Sequence, residues 1–457
     1  MKRPAYPIQP SMRSRWLPLA SVLLLPGLGA CEDPDGAGPL DDGWIRARAA
    51  IHMHSVHSHD ACDGDPKPGG EPNAPCVEDM RRGICESGTR MVFLTDHDGS
   101  MAEVPFGELL LPYKTDADQL LGPAAQPNGL AIACPDGETS IMAPGAENHL
   151  MPVGLDRHPD VPALGASYDG REASDVQDWI DAGAVVFVSH AEEKETDYIA
   201  SLPVHGIEVY NLHHNADPRR TPEAFDHLGA WLRPSDDPPD PTLALMGLLQ
   251  ENQVDLAHWS KLAQSRRMVG VLGHDAHQNI PIELIPGERF DSYGRLMGWF
   301  GNVLLTREAT LPGCKEALRE GRLYGSFDVM GTPRGFRATV EGPAGVVCDM
   351  GGECDYAEGL VVRVRAPSLA GGVPDGAEAP ELTVRLLQML EDGGTTALAE
   401  VPGDLEHTLQ GPGAYRVEVR MVPLHLKARL GPEAQDVALR DLPWIYANPF
   451  YVRDGGS

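Results

Sequence analysis

The segment IHMHSVHSHDACDG, residues 51–64, places four histidines within eight positions and follows them with two aspartates. Imidazole is the commonest neutral metal ligand, and it is also the side chain that titrates nearest neutral pH. The segment is therefore a metal site, a proton relay or a solvated tract. His52 and His54 close a predicted strand, and residues two apart in a strand point to the same side, so both rings can reach one ion.

Four further predicted strands end in side chains of the same kind. These are Asp96, His97 and Asp98 after strand 90–95, Glu147 and His149 near a short apolar run, His190 after strand 184–189, and His274, Asp275 and His277 after strand 267–273. The α/β folds place their catalytic residues at the carboxyl ends of parallel strands. Five such clusters predict a centre of two or three divalent ions, and the mixture of histidine nitrogen and carboxylate oxygen suits Zn, Mn or Fe.

The elements that must position these residues alternate between strands and helices from residue 44 to about residue 330. Short apolar runs indicate buried strands, while 173–183 carries apolar residues on one helical face and ends in a glycine, and 243–265 indicates a longer helix. This alternation predicts an α/β domain over 44–330 with a mostly parallel sheet, open or closed into a barrel. Alternating runs between Gly and Pro turns predict an antiparallel β-sandwich over 335–457.

Residues 1–31 differ from the rest of the chain. Four basic residues precede the apolar run WLPLASVLLLPGLGA, which ends in LGAC, and this is a secretory signal pattern. The LGAC ending resembles the lipobox of bacterial lipoproteins, which implies a lipid on Cys31 and a place in the cell envelope, periplasmic or at the cell surface. The alternative is an ordinary signal peptide. Residues 32–43 would then be an acidic tether.

Charge and cysteine content limit the classes of function. The chain has 37 Lys and Arg against 67 Asp and Glu, and the first 31 residues hold four of the basic ones and no acidic one, leaving −34. Such a surface repels polyanions, so no nucleic-acid partner is expected. Seven cysteines follow Cys31, an odd number, and CDMGGEC at 348–354 is able to close a small ring. No CxxC pair occurs, which disfavours a zinc–thiolate site.

The motifs HMHSVHSHD, FLTDHDG, PGAE, VSHAE and LGHDAH occur in this order along the chain. As a set they resemble those of the PHP (polymerase and histidinol phosphatase) superfamily of metal-dependent hydrolases, which have a distorted (β/α)7 barrel. Within it the chain is similar to the carbaryl-hydrolase-like branch, whose C-terminal β-domain often ends much as PWIYANPFYV does at 443–452. The resemblance implies hydrolysis of a small phosphoester by a hydroxide that bridges two ions, or, alternatively, of a carboxyl or carbamate ester.

The resemblance also implies a ligand set and catalytic residues. Glu147, Asp275 and His277 are the expected catalytic residues, and Arg157, Arg219 and Arg220 are candidates for gripping a phosphate. Glu208 and Asn211 are expected to orient ligands rather than to bind metal. The first ion would take His52, His54, Glu147 and Asp275; the second Glu147, His190 and either His149 or His158; the third His97, His277 and either His59 or Asp60.

A function of another class is a surface-binding lipoprotein in which the metal module is catalytically silent. The C-terminal region carries Trp444, Tyr446 and Tyr451, which are able to stack on sugars. At strand spacing such aromatics belong more often to a core. The location of these three rings, buried or exposed, therefore bears on this alternative.

Overall fold

The computed structural model describes residues 43–455 except 98–100, 217–218, 220, 232, 234–238, 286 and 433. The predicted signal peptide, the lipidation site at Cys31 and nearly all of the predicted tether lie outside the described residues. Among the described residues, no helix is both long and apolar enough to cross a membrane.

Strands and helices alternate through the first part of the chain. In order they are β1 (Ile45–Met53), α1 (Ala74–Glu86), β2 (Met91–Leu94), β3 (Asp96–His97), β4 (Gln119–Leu121), β5 (Gly129–Ala133), β6 (Thr139–Ala143), β7 (Ala146–Glu147), β8 (Met151–Val153), α2 (Leu164–Tyr168), α3 (Ala173–Asp181), β9 (Val185–Val188), α4 (Thr196–Ser201), β10 (Gly206–Asn211), α5 (Leu212–Asn215), α6 (Pro222–Trp231), α7 (Gln253–Leu262), β11 (Val269–Gly273), β12 (Glu283–Ile285), β13 (Glu288–Arg289), α8 (Tyr293–Trp299), β14 (Gly301–Thr306), α9 (Leu311–Glu320) and β15 (Leu323–Ser326).

Short strands joined by turns follow in the C-terminal part. They are β16 (Pro333–Arg334), β17 (Arg337–Gly342), β18 (Gly345–Asp349), β19 (Glu353–Asp355), β20 (Val361–Arg365), β21 (Ser368–Leu369), β22 (Glu381–Met389), β23 (Thr395–Val401), β24 (Leu405–Thr408), β25 (Gly413–Val422), β26 (Leu442–Ala447) and β27 (Phe450–Arg453).

The predicted helix at 173–183 forms as α3, which buries Val176 and Trp179. The predicted single helix at 243–265 is wrong, because only its second half is α-helical, as α7. The side chain of Asn252 accepts a hydrogen bond from the backbone N–H of Asp255 and caps a new helix there. Apolar residues recur at helical spacing through both halves of 243–265, so this periodicity does not reveal that α7 begins in the middle of the segment.

The protein is a mixed α/β structure with two principal sheets in its first part. A 13-stranded sheet includes the order β26-β15-β14-β1-β2-β6, and a four-stranded sheet has the order β11-β10-β9-β8. Pairing is parallel within β1-β2-β6 and within β9-β10-β11, but β1 pairs with β14 antiparallel. The prediction of a mostly parallel sheet therefore holds only locally, since periodicity reports which faces are buried and not strand direction.

The C-terminal strands divide between two sheets. Strand β26 pairs antiparallel with β15, so β25, β26 and their neighbours extend the 13-stranded sheet. Strands β18, β17, β20 and β24 form a separate four-stranded sheet. Trp444, Tyr446 and Tyr451 are at most 2% exposed, so they belong to the core and do not present their faces to a ligand. The two-layer sandwich itself stays a prediction.

The outer edge of β11 is covered by side chains instead of by another complete strand. The amide of Asn448 accepts from the backbone N–H of Gly270 at 2.8 Å and donates to its carbonyl at 2.9 Å. Asn302 makes the same pair of bonds with Leu272, both at 2.9 Å. Buried backbone groups need such partners. The two asparagines thus hold β11, whose end carries Asp275, against β14 and the C-terminal part.

Replacing Asn448 by Ala is expected to lower the free energy of unfolding by about 2 to 4 kcal/mol, because buried donors and acceptors at Gly270 and Leu323 lose their partner. Urea unfolding followed by tryptophan fluorescence measures the change. The control is Gln410→Ala, an exposed amide bonded only to the nearby carbonyl of Thr408, which should leave stability within about 0.5 kcal/mol. Equal midpoints for the two variants would contradict the edge-covering role.

Candidate metal centre

The end of β1 lies beside the segment that follows β11. The backbone N–H of His274 donates to the carbonyl of Ile51 at 3.0 Å, and the N–H of His54 donates to the carbonyl of Ala276 at 3.0 Å. This ladder places His52 and His54 directly beside Asp275 and His277, although more than 200 residues separate them in sequence.

Three overlapping groups of side chains have ligand atoms within 4.8 Å of one another among the described residues. We name each group after a carboxylate. The Asp60 group is His54, Asp60, His97 and His277; the Glu147 group is His52, Glu147 and His190; the Asp275 group is His52, His54 and Asp275. Residues at the end of or after five strands, β1, β3, β7, β9 and β11, therefore converge on one region, as the sequence predicts for a metal centre.

The direction of the buried rings fits a cation. The Nδ1 atom of His52 lies 2.6 Å from Glu208 Oε1, and the Nδ1 atom of His54 lies 2.8 Å from Ser58 Oγ. When each Nδ1–H donates to that oxygen, the Nε2 lone pair is directed into the groups. Both Nε2 atoms and Asp60 Oδ1 are buried without a hydrogen-bond partner. Buried polar atoms without partners are costly, and bound metal ions would satisfy the two Nε2 atoms.

The residues that support these rings also fix the loop after β1. Asp96 accepts hydrogen bonds from the backbone N–H and hydroxyl of Ser55, at 2.6 and 2.8 Å, and from the hydroxyl of Ser58 at 3.1 Å. It belongs to none of the three groups. Asp96 is thus a support for the loop, whereas its position at a strand end in the sequence suggested a ligand. Glu208 and Asn211 likewise orient other groups, since Asn211 donates to Glu208 at 3.1 Å.

The surroundings favour the charged forms of His52 and Asp275, whereas burial and His277 lower the pKa of His54. Burial alone would lower the pKa of His52, but Glu208 and Asp275 raise it to about 10. Burial would raise the pKa of Asp275, yet His52, His213 and His54 hold it well below its usual range. The Asp275 carboxylate lies 3.3 Å from both His52 Nε2 and His190 Nε2. Protons and metal cations therefore compete for the same buried atoms, and binding a metal here releases protons.

Three members of the groups have left-handed backbone conformations. The φ angles are 64° at His52, 45° at His190 and 51° at Asp275. Such conformations cost a residue with a Cβ atom about 1 to 3 kcal/mol each and cluster at functional sites. The surrounding sheet must therefore stabilise these backbone conformations, which direct the three side chains inward.

A limit on the number of ions follows from the lone pairs. An imidazole whose Nδ1–H is engaged offers one lone pair, at Nε2, and so serves one ion. His52 is shared by the Glu147 and Asp275 groups, and His54 by the Asp60 and Asp275 groups. The three groups therefore cannot all be filled with their full sets of ligands at once. If both rings bind with Asp275, the Glu147 group retains only Glu147 and His190.

The structure places His59 and Asp60, the two candidate ligands that the sequence left open for the third ion, in different surroundings. Asp60 belongs to a group, with Oδ2 at 3.5 Å from His97 Nε2 and 3.3 Å from His277 Nε2. His59 is exposed, belongs to no group, and only its ring centroid approaches that of His97, at 5.3 Å. A loop residue cannot be assigned a direction from spacing alone, which is why the sequence left this choice open.

Neither candidate for completing the second ion's ligands is brought to the Glu147 group. The ring of His149 faces Asp169, with Nε2 at 3.3 Å from Oδ1. Both ring nitrogens of His158 are engaged, by the hydroxyl of Tyr168 at 2.8 Å and the carbonyl of Val104 at 2.9 Å. The expected role of His149 therefore finds no support in this geometry, because the turn after β7 directs the ring toward Asp169.

Two of the three candidate phosphate-binding arginines lie on the surface. Arg157 and Arg219 are exposed, and Arg220 lies outside the described residues. Of the two residues left unassigned by the sequence, His213 contacts a group member directly, and His214 does so only through Glu192, whose Oε1 lies 3.6 Å from His190 Nδ1. The Nδ1 atom of His213 lies 3.1 Å from Asp275 Oδ2, and His214 Nδ1 lies 2.7 Å from Glu192 Oε1. The sequence signal was their position directly after the strand that ends in Asn211, which caps the helix that carries them.

Comparisons with known proteins add one distant likeness. No protein family and no curated protein matches the chain. The chain is similar to the crystal structure of a two-domain protein containing a predicted PHP-like metal-dependent phosphoesterase from Bacteroides vulgatus, at 13% identity and a TM-score of 0.35. The match covers 90% of this chain and 97% of that one.

Asp60→Ala is expected to remove one ion per chain relative to the parent protein, while His59→Ala should retain the parental content, because only Asp60 directs an oxygen at His97 and His277. Elemental mass spectrometry after reloading and desalting gives the ratio. Loss of metal from the His59 variant alone would assign the ligand to His59 instead.

Glu208→Gln is expected to weaken metal retention about 10- to 100-fold, since the neutral amide orients His52 less firmly and adds no negative charge beside it. Chelator competition measures this affinity. The matched control is Glu358→Gln on the exposed surface of the C-terminal part, which should bind metal as the parent does. If both variants compete equally with the chelator, Glu208 has no orienting role.

Proposed function

We propose that this protein is an exported metal-dependent hydrolase of the PHP type and that its substrate is a small phosphoester. The observation that carries the proposal is the convergence of three histidine–carboxylate groups whose buried Nε2 and Oδ1 atoms have no protein partner. We further propose that the two principal sheets together form the distorted barrel of that superfamily, with β1 and β11 adjacent.

The proposed ligands are members of the three groups, and Zn, Mn or Fe suits their mixture of nitrogen and oxygen donors. When bound, such ions would act as Lewis acids toward phosphoryl oxygens and would lower the pKa of water. Glu147 fits a position between ions. Ser189 donates a hydrogen bond to its Oε1 at 2.7 Å, while Oε2 lies 3.3 Å from His97 Nδ1. Glu147 is thus a member of the Glu147 group and also contacts His97, a member of the Asp60 group.

Side-chain exposure indicates where a substrate approaches. His52 and His54 are fully buried, whereas the side chains of His213, Asp60 and His190 are 66%, 37% and 24% exposed. We infer that the substrate enters over these three residues, with the buried imidazoles beneath it. His213 is held against Asp275 at the rim of this opening, where it contacts an entering group before the buried rings do.

Two observations favour a phosphoester over the alternatives. Several cation positions lie close together, which suits a dianionic group with three equatorial oxygens. Arg157 and Arg219, the described candidates for gripping a phosphate, are exposed on the surface, so the ions would provide the neutralising charge. The carboxyl or carbamate ester remains the second candidate on the same site. The surface-binding alternative is less favoured, because Trp444, Tyr446 and Tyr451 are buried and do not offer their faces to a sugar.

The reloaded protein is expected to hydrolyse nitrophenyl phosphate or bis-nitrophenyl phosphate in a chelator-sensitive manner, and Asp275→Asn should lower kcat/KM at least about 100-fold because it removes the carboxylate between His52 and His190. Release of nitrophenolate measures the rate. The control Asp169→Asn changes an exposed carboxylate that contacts His149, and it should act like the parent.

Turnover of nitrophenyl acetate alone would replace the phosphoesterase proposal by the ester hydrolase. Full metal occupancy without turnover of any of the three esters would favour the binding module.

A further inference from the structure

A pair of cysteines lies far from the metal centre in the sequence and is independent of the proposed function. Cys348 is at the end of β18 and only 4% exposed, while Cys354 lies in β19 and is half-buried. Both are thiols in the structure. Strands β18 and β19 nonetheless contact each other, and the Sγ atom of Cys348 lies over the turn that joins them, 3.2 Å from where a Cβ of Gly352 would stand. The pKa values of the two thiols shift in opposite directions through their mutual interaction, which indicates that the side chains are neighbours.

The turn between these cysteines is held from several sides. The N–H of Gly352 donates to the carbonyl of Asp349 at 2.8 Å, and its carbonyl accepts from the N–H of Tyr451 at 2.9 Å. The N–H of Gly351 donates to the carbonyl of Pro449 at 3.0 Å. Gly351 has φ 75° and packs on Gly321, where a Cβ would come within 2.3 Å of the backbone. β27 and the end of α9 thus fix the backbone of the turn that carries the two cysteines.

The other cysteines show how this chain uses its thiols. Cys62 is bonded to Cys76 and Cys85 to Cys134. Cys314 is 2% exposed in α9, and burial raises the pKa of its thiol to about 12, which makes it inert. Among the described cysteines, Cys348 and Cys354 are thus the neighbouring pair that is not yet bonded.

We propose that Cys348 and Cys354 form a third disulfide when the protein meets a small-molecule disulfide such as oxidised glutathione. The thiolate of Cys354, the more exposed of the two, attacks the oxidant and forms a mixed disulfide, releasing one glutathione thiol. Cys348 then loses its proton, attacks the Cys354 sulfur and releases the second glutathione thiol. The two cysteines are oxidised by two electrons in all, and the oxidant is reduced to two thiols.

The pKa values of the two thiols support the same order of attack. The Cys348 thiol donates to Cys354, and this lowers the pKa of Cys354, while the same contact and burial raise the pKa of Cys348. The product accounts for the odd number of cysteines after Cys31, since three disulfides leave Cys314 as the free thiol. The new bond would close a ring over the turn that joins β18 to β19 and packs on α9.

The test treats the purified full chain with oxidised glutathione, alkylates the remaining thiols under denaturing conditions and maps the peptides by mass spectrometry. The expected result is the loss of two alkylation sites and a peptide containing 348–354 that is about 2 Da lighter through an internal disulfide. Cys314→Ser is the matched control and should show the same loss of two sites. Cys354→Ser should leave Cys348 alkylated.

Two outcomes overturn the proposal. In one, Cys348 and Cys354 stay fully alkylated after oxidation while the bonds Cys62–Cys76 and Cys85–Cys134 persist. In the other, glutathione remains attached to Cys354 and no internal bond follows. Both results are read on the parent chain, so the test does not depend on whether either serine variant folds.

Discussion

The hydrogen bond between His52 and Glu208 is the interaction on which the centre depends. Both side chains are fully buried, and Nδ1 lies 2.6 Å from Oε1. A buried carboxylate needs partners, and Glu208 gains a second from the N–H of His190 at 2.9 Å and a third from Asn211. One side chain at the middle of β10 thus fixes a ring on β1, the loop after β9 and the end of its own strand.

This arrangement requires strands that lie far apart in sequence to be held in register. The ladder between β1 and the segment after β11 aligns the two ends that carry His52 and Asp275, and the asparagine side chains at Gly270 and Leu272 keep β11 in place. A rigid frame of this kind is also what stabilises the left-handed conformations at His52, His190 and Asp275. The C-terminal part therefore supports the centre mechanically, through Asn448 and Tyr451, without contributing a ligand to the three groups.

The Glu147 group is where this chain departs from the ligand set that the family resemblance implies. It has one imidazole of its own, His190, and shares His52, because His149 and His158 are engaged elsewhere. A group of three protein ligands, one of which is shared, leaves part of an ion's coordination to water or substrate. The side chain of His190 in this group is 24% exposed and that of His213 beside Asp275 is 66% exposed, so the incomplete ligand set and the access to solvent occur at the same place.

The sequence alone determined which residue types gather at the strand ends, because apolar runs mark buried strands and the polar residues that follow them are plain to see. It also determined α3, whose apolar face and terminal glycine are local features. Tertiary structure alone placed Asp60, and not His59, beside His97 and His277, turned His149 toward Asp169, engaged Asp96 with Ser55 and Ser58, and brought His213 to Asp275. The physical reason is that periodicity reports local burial, whereas the direction of a loop side chain and the meeting of β1 with β11 depend on contacts between distant segments.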